Sequence, residues 1–140
     1  YRNVSTVSGK TYNLLYSAKA ALVTSGTATL ETALFEVPQI ICYKGGNISY
    51  QIAKRLVKIK YIGLVNLIMD KEVVKELIQN NLTEKNLAFE LRQLLSTTAK
   101  LKAIKEDYKK LKSILTEAGP ASCNAAKIIV AFCKSLLPPA

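Results

Sequence analysis

Hydrophobic positions in the first third of the chain alternate between short apolar runs and helical stripes. Residues 4–7, 20–24 and 39–43 predict strands, and the last, an uninterrupted apolar run, is typical of a strand buried on both faces. Between them the spacing predicts helices over residues 12–19 and from about 27 to 35. Strands and helices that alternate through short links predict a parallel sheet covered by helices.

The rest of the chain is mostly of helical pattern. A short strand or extended loop is expected over residues 61–67. Helices are predicted over residues 48–58, 71–79, 83–95, 98–117 and from 122 to before Pro138. The expected fold class is therefore α/β: a Rossmann-like parallel sheet flanked by helices, with a helical C-terminal part. Residues 1–140 would form one domain, with the terminal helices of residues 98–137 packing back on it.

Capping residues refine three of these helices. Thr11 is expected to cap the first helix, with Leu14 and Leu15 on its inner face. Asp70 is expected to cap the helix over residues 71–79, and Thr83 the next one.

The net charge of +10 suggests anionic partners, namely nucleotide phosphates, nucleic acid or an anionic membrane surface. Nucleic acid is not expected, because no aromatic residues are interleaved with the lysines for base stacking and no recognition motif occurs. The basic helix predicted over residues 48–58 could face anionic lipid, and a solvated basic face is the alternative.

The composition excludes several kinds of chemistry. The chain has no His, which removes Ser-His-Asp and Cys-His catalysis and most zinc sites, so neither a metal nor a cofactor is expected. The three cysteines, Cys42, Cys123 and Cys133, form no Cys-x-x-Cys pair and are expected to be buried free thiols in a reducing compartment. The chain starts at Tyr1 and is expected to be a piece of a longer protein.

One segment combines a strand end, a Ser25-Gly26-Thr27 turn and the start of a helix. Ligands of parallel sheets bind outside the carboxyl ends of the strands, at a helix N-terminus. Gly26 would let a ligand approach the backbone, while the first N–H groups and the hydroxyls of Ser25, Thr27 and Thr29 would form an anion-binding cup. The alternative is an ordinary capped helix with a surface Glu.

Two charged residues extend this site. Glu31 lies one turn beyond Thr27, too far for the anion but well placed to accept hydrogen bonds from two vicinal hydroxyls, such as those of a ribose. Lys44 leaves the carboxyl end of the strand at residues 39–43 and is the cation best placed to neutralise a diphosphate.

The run ALVTSGTATLETAL of residues 21–34, followed by Val37-Pro38 and Tyr43-Lys44, resembles lipid-A-disaccharide synthase. The runs IAKRLVK at residues 52–58, YIGLVNL at 61–67 and EVVKELIQ at 72–79 continue the resemblance in the same order and spacing. It covers about residues 12–95. The chain departs from the family where Val65 replaces a Pro and where residues 45–49 replace a Ser-Pro-Leu-Thr segment.

The resemblance implies a two-domain glycosyltransferase of GT-B type, of which this chain would be the second domain. The family transfers diacylglucosamine from UDP-2,3-diacylglucosamine to 2,3-diacylglucosamine 1-phosphate, with inversion and without a metal. Ser25, Gly26 and Thr27 would then meet the pyrophosphate and Glu31 the ribose, while Asn66 matches an Asn associated with activity. The general base would lie in the N-terminal domain, so this chain alone should bind the donor without turnover.

The implied partners are the UDP-sugar lipid donor, the protein's own N-terminal domain and an anionic membrane surface, and a homodimer is left open. The implied location is cytoplasmic, on the inner face of the bacterial inner membrane. Two alternatives stay open at this point. One is another UDP-N-acetylglucosamine enzyme of GT-B architecture, either a murein-precursor transferase or a 2-epimerase, although an epimerase would be expected to carry His near its site. The other is a non-catalytic module that binds nucleotide or lipid.

Overall fold

A computed structural model describes residues 3–24, 26–46, 60–117 and 119–135. At its centre is a three-stranded parallel sheet in the order β1 (Ala21–Thr24), β2 (Gln39–Tyr43), β3 (Lys75–Ile78). In the register of the sheet, Val23 of β1 lies opposite Ile41 of β2, which lies opposite Glu76 of β3. The predicted α/β class, a parallel sheet flanked by helices with a helical C-terminal part, is confirmed.

The other regular elements of the described chain are helices. They are α1 (Thr11–Ser17), α2 (Ala28–Leu34), α3 (Leu64–Met69), α4 (Glu84–Ser96), α5 (Thr98–Glu117) and α6 (Ala121–Ser135), with a 3₁₀ turn at Gln79–Asn81. The predicted cap of α4 is confirmed, because the Thr83 hydroxyl accepts a hydrogen bond from the backbone N–H of Asn86 at 3.2 Å.

The core forms around β2, the middle strand. Ile40 and Ile41 point to opposite faces of the sheet and both are buried, as the continuous apolar run predicts. Ile104, Tyr108 and Leu111 of α5 complete this core at the spacing of one helical face. Burial of each of these large side chains stabilises the fold by about 1.5–3 kcal/mol.

The third strand corrects the helix predicted over residues 71–79. Asp70 does not cap a helix; it has a left-handed backbone with φ of 43° and lies at the end of α3. Val74 and Leu77 are buried and Glu76 is half-buried, a pattern short enough to suit either a helix or a strand. Pairing with β2 satisfies the backbone groups of this segment, and it therefore forms β3.

Three further predictions of local structure are wrong. Residues 4–7 form no strand and are exposed, because no described strand lies beside them. The first helix begins at Thr11 and is not capped by its side chain, and of the two leucines expected to be inward only Leu15 is buried, whereas Leu14 is exposed. A short strand or extended loop was predicted over residues 61–67, whereas residues 64–69 form helix α3. The basic helix expected over residues 48–58 lies outside the described residues.

The two terminal helices differ in burial. α5 supplies core residues, whereas α6 buries no side chain and exposes Ile128, Ile129 and Phe132. The packing of α6 onto the domain thus stays a prediction.

Cys42 is half-buried, while Cys123 and Cys133 of α6 are exposed, so the expectation that the cysteines are buried is wrong for those two. No helix within the described ranges is long and apolar enough to span a bilayer.

Candidate functional site

The turn between β1 and α2 contains a glycine with a positive φ. Gly26 has φ of 137°, a value that side-chain-bearing L-residues rarely adopt. A Cβ atom at this position would meet no atom within 4 Å, so the backbone conformation, not the space, requires glycine. Ser25, which was expected to take part, lies outside the described residues.

Thr27 leaves its hydroxyl available at this turn. Its backbone already has helical angles, its side chain makes no capping hydrogen bond, and it is exposed. The Thr27 hydroxyl therefore does not cap this helix, and the Ser25 form of the alternative lies outside the described residues.

Thr29 corrects the predicted composition of the cup. Its side chain is fully buried, and its hydroxyl donates to the carbonyl oxygen of Gly26 at 2.7 Å. The same carbonyl accepts the backbone N–H of Thr29 at 3.1 Å. Thr29 therefore closes the turn from inside and does not face a ligand.

Some backbone N–H groups at the start of α2 are already used within the helix, so they cannot belong to the anion-binding cup. Leu30 and Glu31 both donate their N–H to the carbonyl of Thr27, at 3.0 and 3.1 Å. For the N–H groups of Gly26, Thr27 and Ala28, the described part of the chain supplies no acceptor. Among the described residues, these three groups and the Thr27 hydroxyl are candidate donors to an anion.

Glu31 lines an open cavity at the surface. The cavity has a volume of about 320 Å³, and its other lining residues come from one stretch of chain, residues 9–13 at the start of α1. Tyr12 of this stretch stacks on Phe35, with ring centroids 5.3 Å apart, which holds α1 beside α2. Glu31 is half-buried, and its carboxylate has no hydrogen-bonding or ionic partner among the described residues.

Lys44 lies at the same edge of the sheet as the turn. Thr24 pairs with Cys42, so Gly26 and Lys44 each follow this paired row by two residues. Lys44 is exposed and forms no ion pair with a described residue. The structure therefore brings Gly26, Thr27 and Lys44 to the carboxyl edge of the sheet, as predicted, with Glu31 one turn along α2.

Asn66 does not have the geometry of a catalytic residue. It is fully buried, and its amide Nδ2 donates to the carbonyl of Val74 at 2.8 Å and to a carboxylate oxygen of Glu76 at 2.9 Å. Its Oδ1 accepts the backbone N–H groups of Val73 and Val74 at 2.9 and 3.0 Å. An amide has two donor hydrogens and two acceptor lone pairs, so nothing remains for a substrate.

Glu76 is the acidic hydrogen-bonding partner of Asn66. The sequence pattern did not identify it, because a helix was predicted over this segment. Its carboxylate accepts the N–H groups of Ile62 and Gly63, both at 3.0 Å, besides the amide of Asn66. Gly63 lies so close to the sheet that a Cβ atom would overlap the side chain of Ile41. Asn66 and Glu76 thus fix the chain before and within α3 onto the sheet.

No three His, Cys, Asp or Glu side chains come together among the described residues in a way that could hold a metal ion.

Comparison with known proteins gives a consistent result. The sequence model of the family described as lipid-A-disaccharide synthetase matches residues 2–132. Over 132 residues the chain is 39% identical to the lipid-A-disaccharide synthase of Syntrophus aciditrophicus, a match that covers 94% of this chain and 34% of that protein. The synthase of Methylobacillus flagellatus is 34% identical over the same shares of the two chains, 94% and 34%.

Another relative is similar over a shorter stretch at higher identity than these two. The synthase of Psychromonas ingrahamii is 51% identical over 87 residues, which are 62% of this chain and 23% of that protein. The chain spans about a third of the length of the relatives that it matches over most of its residues.

Proposed function

Because the chain belongs to the lipid-A-disaccharide synthetase family, we propose that it is the part of a glycosyltransferase that binds the nucleotide-sugar donor. The donor is UDP-2,3-diacylglucosamine, the acceptor is 2,3-diacylglucosamine 1-phosphate, and the anomeric centre is inverted. Family membership sets aside the epimerase and murein-precursor alternatives. The general base is expected in the part of the relatives' length that this chain does not span, so the isolated chain binds the donor without turnover.

The observation that carries the proposal is the cavity beside Glu31. A ribose placed there can donate its 2′- and 3′-hydroxyl hydrogens to a carboxylate that has no partner among the described residues. Hydrogen bonds to a charged group stabilise a complex by about 1.5–3 kcal/mol each. The base would lie along residues 9–13, which line the rest of this cavity.

The diphosphate would lie against the turn. The N–H groups of Gly26, Thr27 and Ala28 and the Thr27 hydroxyl supply donors, and Lys44 supplies a positive charge. In an inverting transfer the acceptor hydroxyl attacks the anomeric carbon opposite UDP, and the departing UDP gains negative charge. Donors already oriented toward that charge favour its departure.

The location of the protein is part of the same proposal. Both sugars carry acyl chains, so the reaction takes place at a membrane surface. The net charge of +10 favours the anionic inner face of the bacterial inner membrane. The remaining part of the enzyme and a second copy of the chain are further proposed partners.

Titration calorimetry with UDP on this chain tests the donor site. We expect Glu31→Gln and Lys44→Gln each to weaken UDP binding about tenfold. The controls are Glu106→Gln and Lys109→Gln, which make the same changes in charge at exposed positions of α5. The proposal fails if the unmodified chain gives no heat with millimolar UDP, or if the site variants bind as tightly as the controls.

A further inference from the structure

A chain of buried polar groups runs from α5 through the sheet to the Gly26 turn. Its members are Tyr108 of α5, Gln39 at the start of β2, Thr29 of α2 and Gly26. The three side chains are each 2% exposed or less. Such groups are unexpected among the isoleucines of β2, because a polar side chain buried in a sheet needs partners to offset its lost hydration.

Each link in this chain is a hydrogen bond of defined direction. The Gln39 Nε2 donates to the backbone carbonyl of Thr29 at 2.9 Å and to the Tyr108 hydroxyl at 3.2 Å. The Tyr108 hydroxyl in turn donates to the carbonyl of Val37, also at 3.2 Å. Because a carbonyl only accepts, the Thr29 contact fixes which end of the Gln39 amide points to α2.

The last link reaches the proposed donor site. Thr29 is the second residue of α2, and its hydroxyl holds the Gly26 carbonyl. A shift of the first turn of α2 would therefore move the Gly26 carbonyl and, with it, the three N–H groups that face the diphosphate. Gln39 is the only described side chain that hydrogen-bonds to the backbone of this turn from another element of the fold.

We propose that Gln39 is a positioning residue for the donor site: its amide anchors the first turn of α2, through Thr29, and so orients the Gly26–Thr27 turn for the diphosphate. The inference rests on the proposed function. Tyr108 supports the amide from the other side. Burial raises the pKa of its phenol, so the hydroxyl stays neutral and both accepts from Gln39 and donates to Val37.

The side-chain amide of Gln39 also has one hydrogen-bonding atom without a partner, which bears on its contribution to stability. The Oε1 of Gln39 is buried and has no partner within the described part of the chain. Gln39→Leu removes this unpaired acceptor, which partly offsets the loss of the two contacts that the amide donates to Thr29 and Tyr108. Stability and UDP affinity therefore have to be measured in the same variants.

The test compares UDP affinity with thermal stability in the same chain. We expect Gln39→Leu to weaken UDP binding about tenfold and Tyr108→Phe about threefold, at a temperature where both variants remain folded. The control is Ile104→Val, a core change in α5 one turn before Tyr108 at an apolar side chain outside the hydrogen-bond chain. It should lower the melting temperature and leave UDP affinity unchanged.

Substitutions of Thr29, the next residue in the hydrogen-bond chain, give a second test based on UDP affinity. Thr29→Ser keeps the hydroxyl and should retain UDP affinity, whereas Thr29→Val removes it and should lose about tenfold. If Gln39 acts through Thr29, the double variant with Gln39→Leu and Thr29→Val loses no more affinity than the weaker-binding single variant.

The outcomes separate this inference from the proposed function. If the unmodified chain does not bind UDP, the proposed function fails and this inference with it. If it binds UDP and Gln39→Leu binds like Ile104→Val, only the positioning role of Gln39 is overturned. Independent, additive losses in the double variant would likewise overturn the path through Thr29.

Discussion

Replacing Asn66 by Ala should destabilise the fold severely without touching the donor site. The substitution takes the Asn66 side chain away from the Val74 N–H and the Val74 carbonyl, whereas the Val73 N–H keeps the carbonyl of Lys71 at 2.9 Å. Each unpaired buried group costs about 1–3 kcal/mol. A water molecule in the space vacated by the amide would re-pair part of them, which gives an expected loss of about 2–4 kcal/mol.

This loss is large compared with the whole stability of a domain, about 5–15 kcal/mol. It corresponds to a melting temperature lower by roughly 10 °C and a urea midpoint lower by about 2 M. Urea unfolding followed by circular dichroism measures both the free energy and its urea dependence. The matched control is Asn80→Ala, at an exposed position of the 3₁₀ turn, which should change the free energy by less than about 0.5 kcal/mol.

Two results would refute the reasoning about Asn66. One is equal urea midpoints for Asn66→Ala and Asn80→Ala, which would mean that the buried hydrogen bonds do not matter. The other is a stable Asn66→Ala variant that has lost UDP binding at low temperature. That result would restore Asn66 as a residue that contacts the substrate.

Three further predictions concern charge, pH and backbone strain. Asp107→Asn breaks an ion pair with Lys71 in which the carboxylate is buried and the ammonium is exposed. Urea unfolding should show a loss of about 1–2 kcal/mol in the free energy of unfolding. Asp70→Asn, which breaks an exposed ion pair, should show no loss. Burial raises the pKa of Tyr108 above its ordinary value of 10.0, so the unfolded chain releases this proton first as pH rises. Thermal melts should therefore show stability falling above pH 10, and falling less in Tyr108→Phe; equal slopes would contradict this. Gly26→Ala should cost about 1–3 kcal/mol from its φ alone, because space is available for the methyl group, and an unchanged urea midpoint would refute that.

The sequence predicted β1, β2 and α2 because local pattern and tertiary structure agree there. The apolar run of β2 is too short for a helix, and Val37-Pro38 ends the helix before it. β3 could not be predicted in this way. Its apolar residues, Val73, Val74 and Leu77, suit both helix and strand, and the decision comes from pairing with β2, which is more than thirty residues away in sequence.

In the candidate site, too, residues placed by local pattern were predictable, and residues placed by tertiary contacts were not. Gly26, Thr27 and Lys44 were predictable because they follow the ends of neighbouring strands in a parallel sheet. Residues 9–13, which form the wall opposite Glu31, depend on how α1 packs beside α2. The roles of Thr29 and Asn66 depend on which hydrogen bonds the folded chain makes, and residue type alone does not reveal them.

The exposed apolar residues of α6 have a practical consequence for all these measurements. Ile128, Ile129 and Phe132 are adjacent on one helical face and open to solvent. A net charge of +10 keeps copies of the chain apart in dilute buffer, but 0.15 M salt reduces the range of that repulsion to about 8 Å. We therefore expect light scattering to rise with salt and protein concentration, and to rise less in Phe132→Ser. Colloidal behaviour, and not only affinity, will decide the buffer in which nucleotide titrations are meaningful.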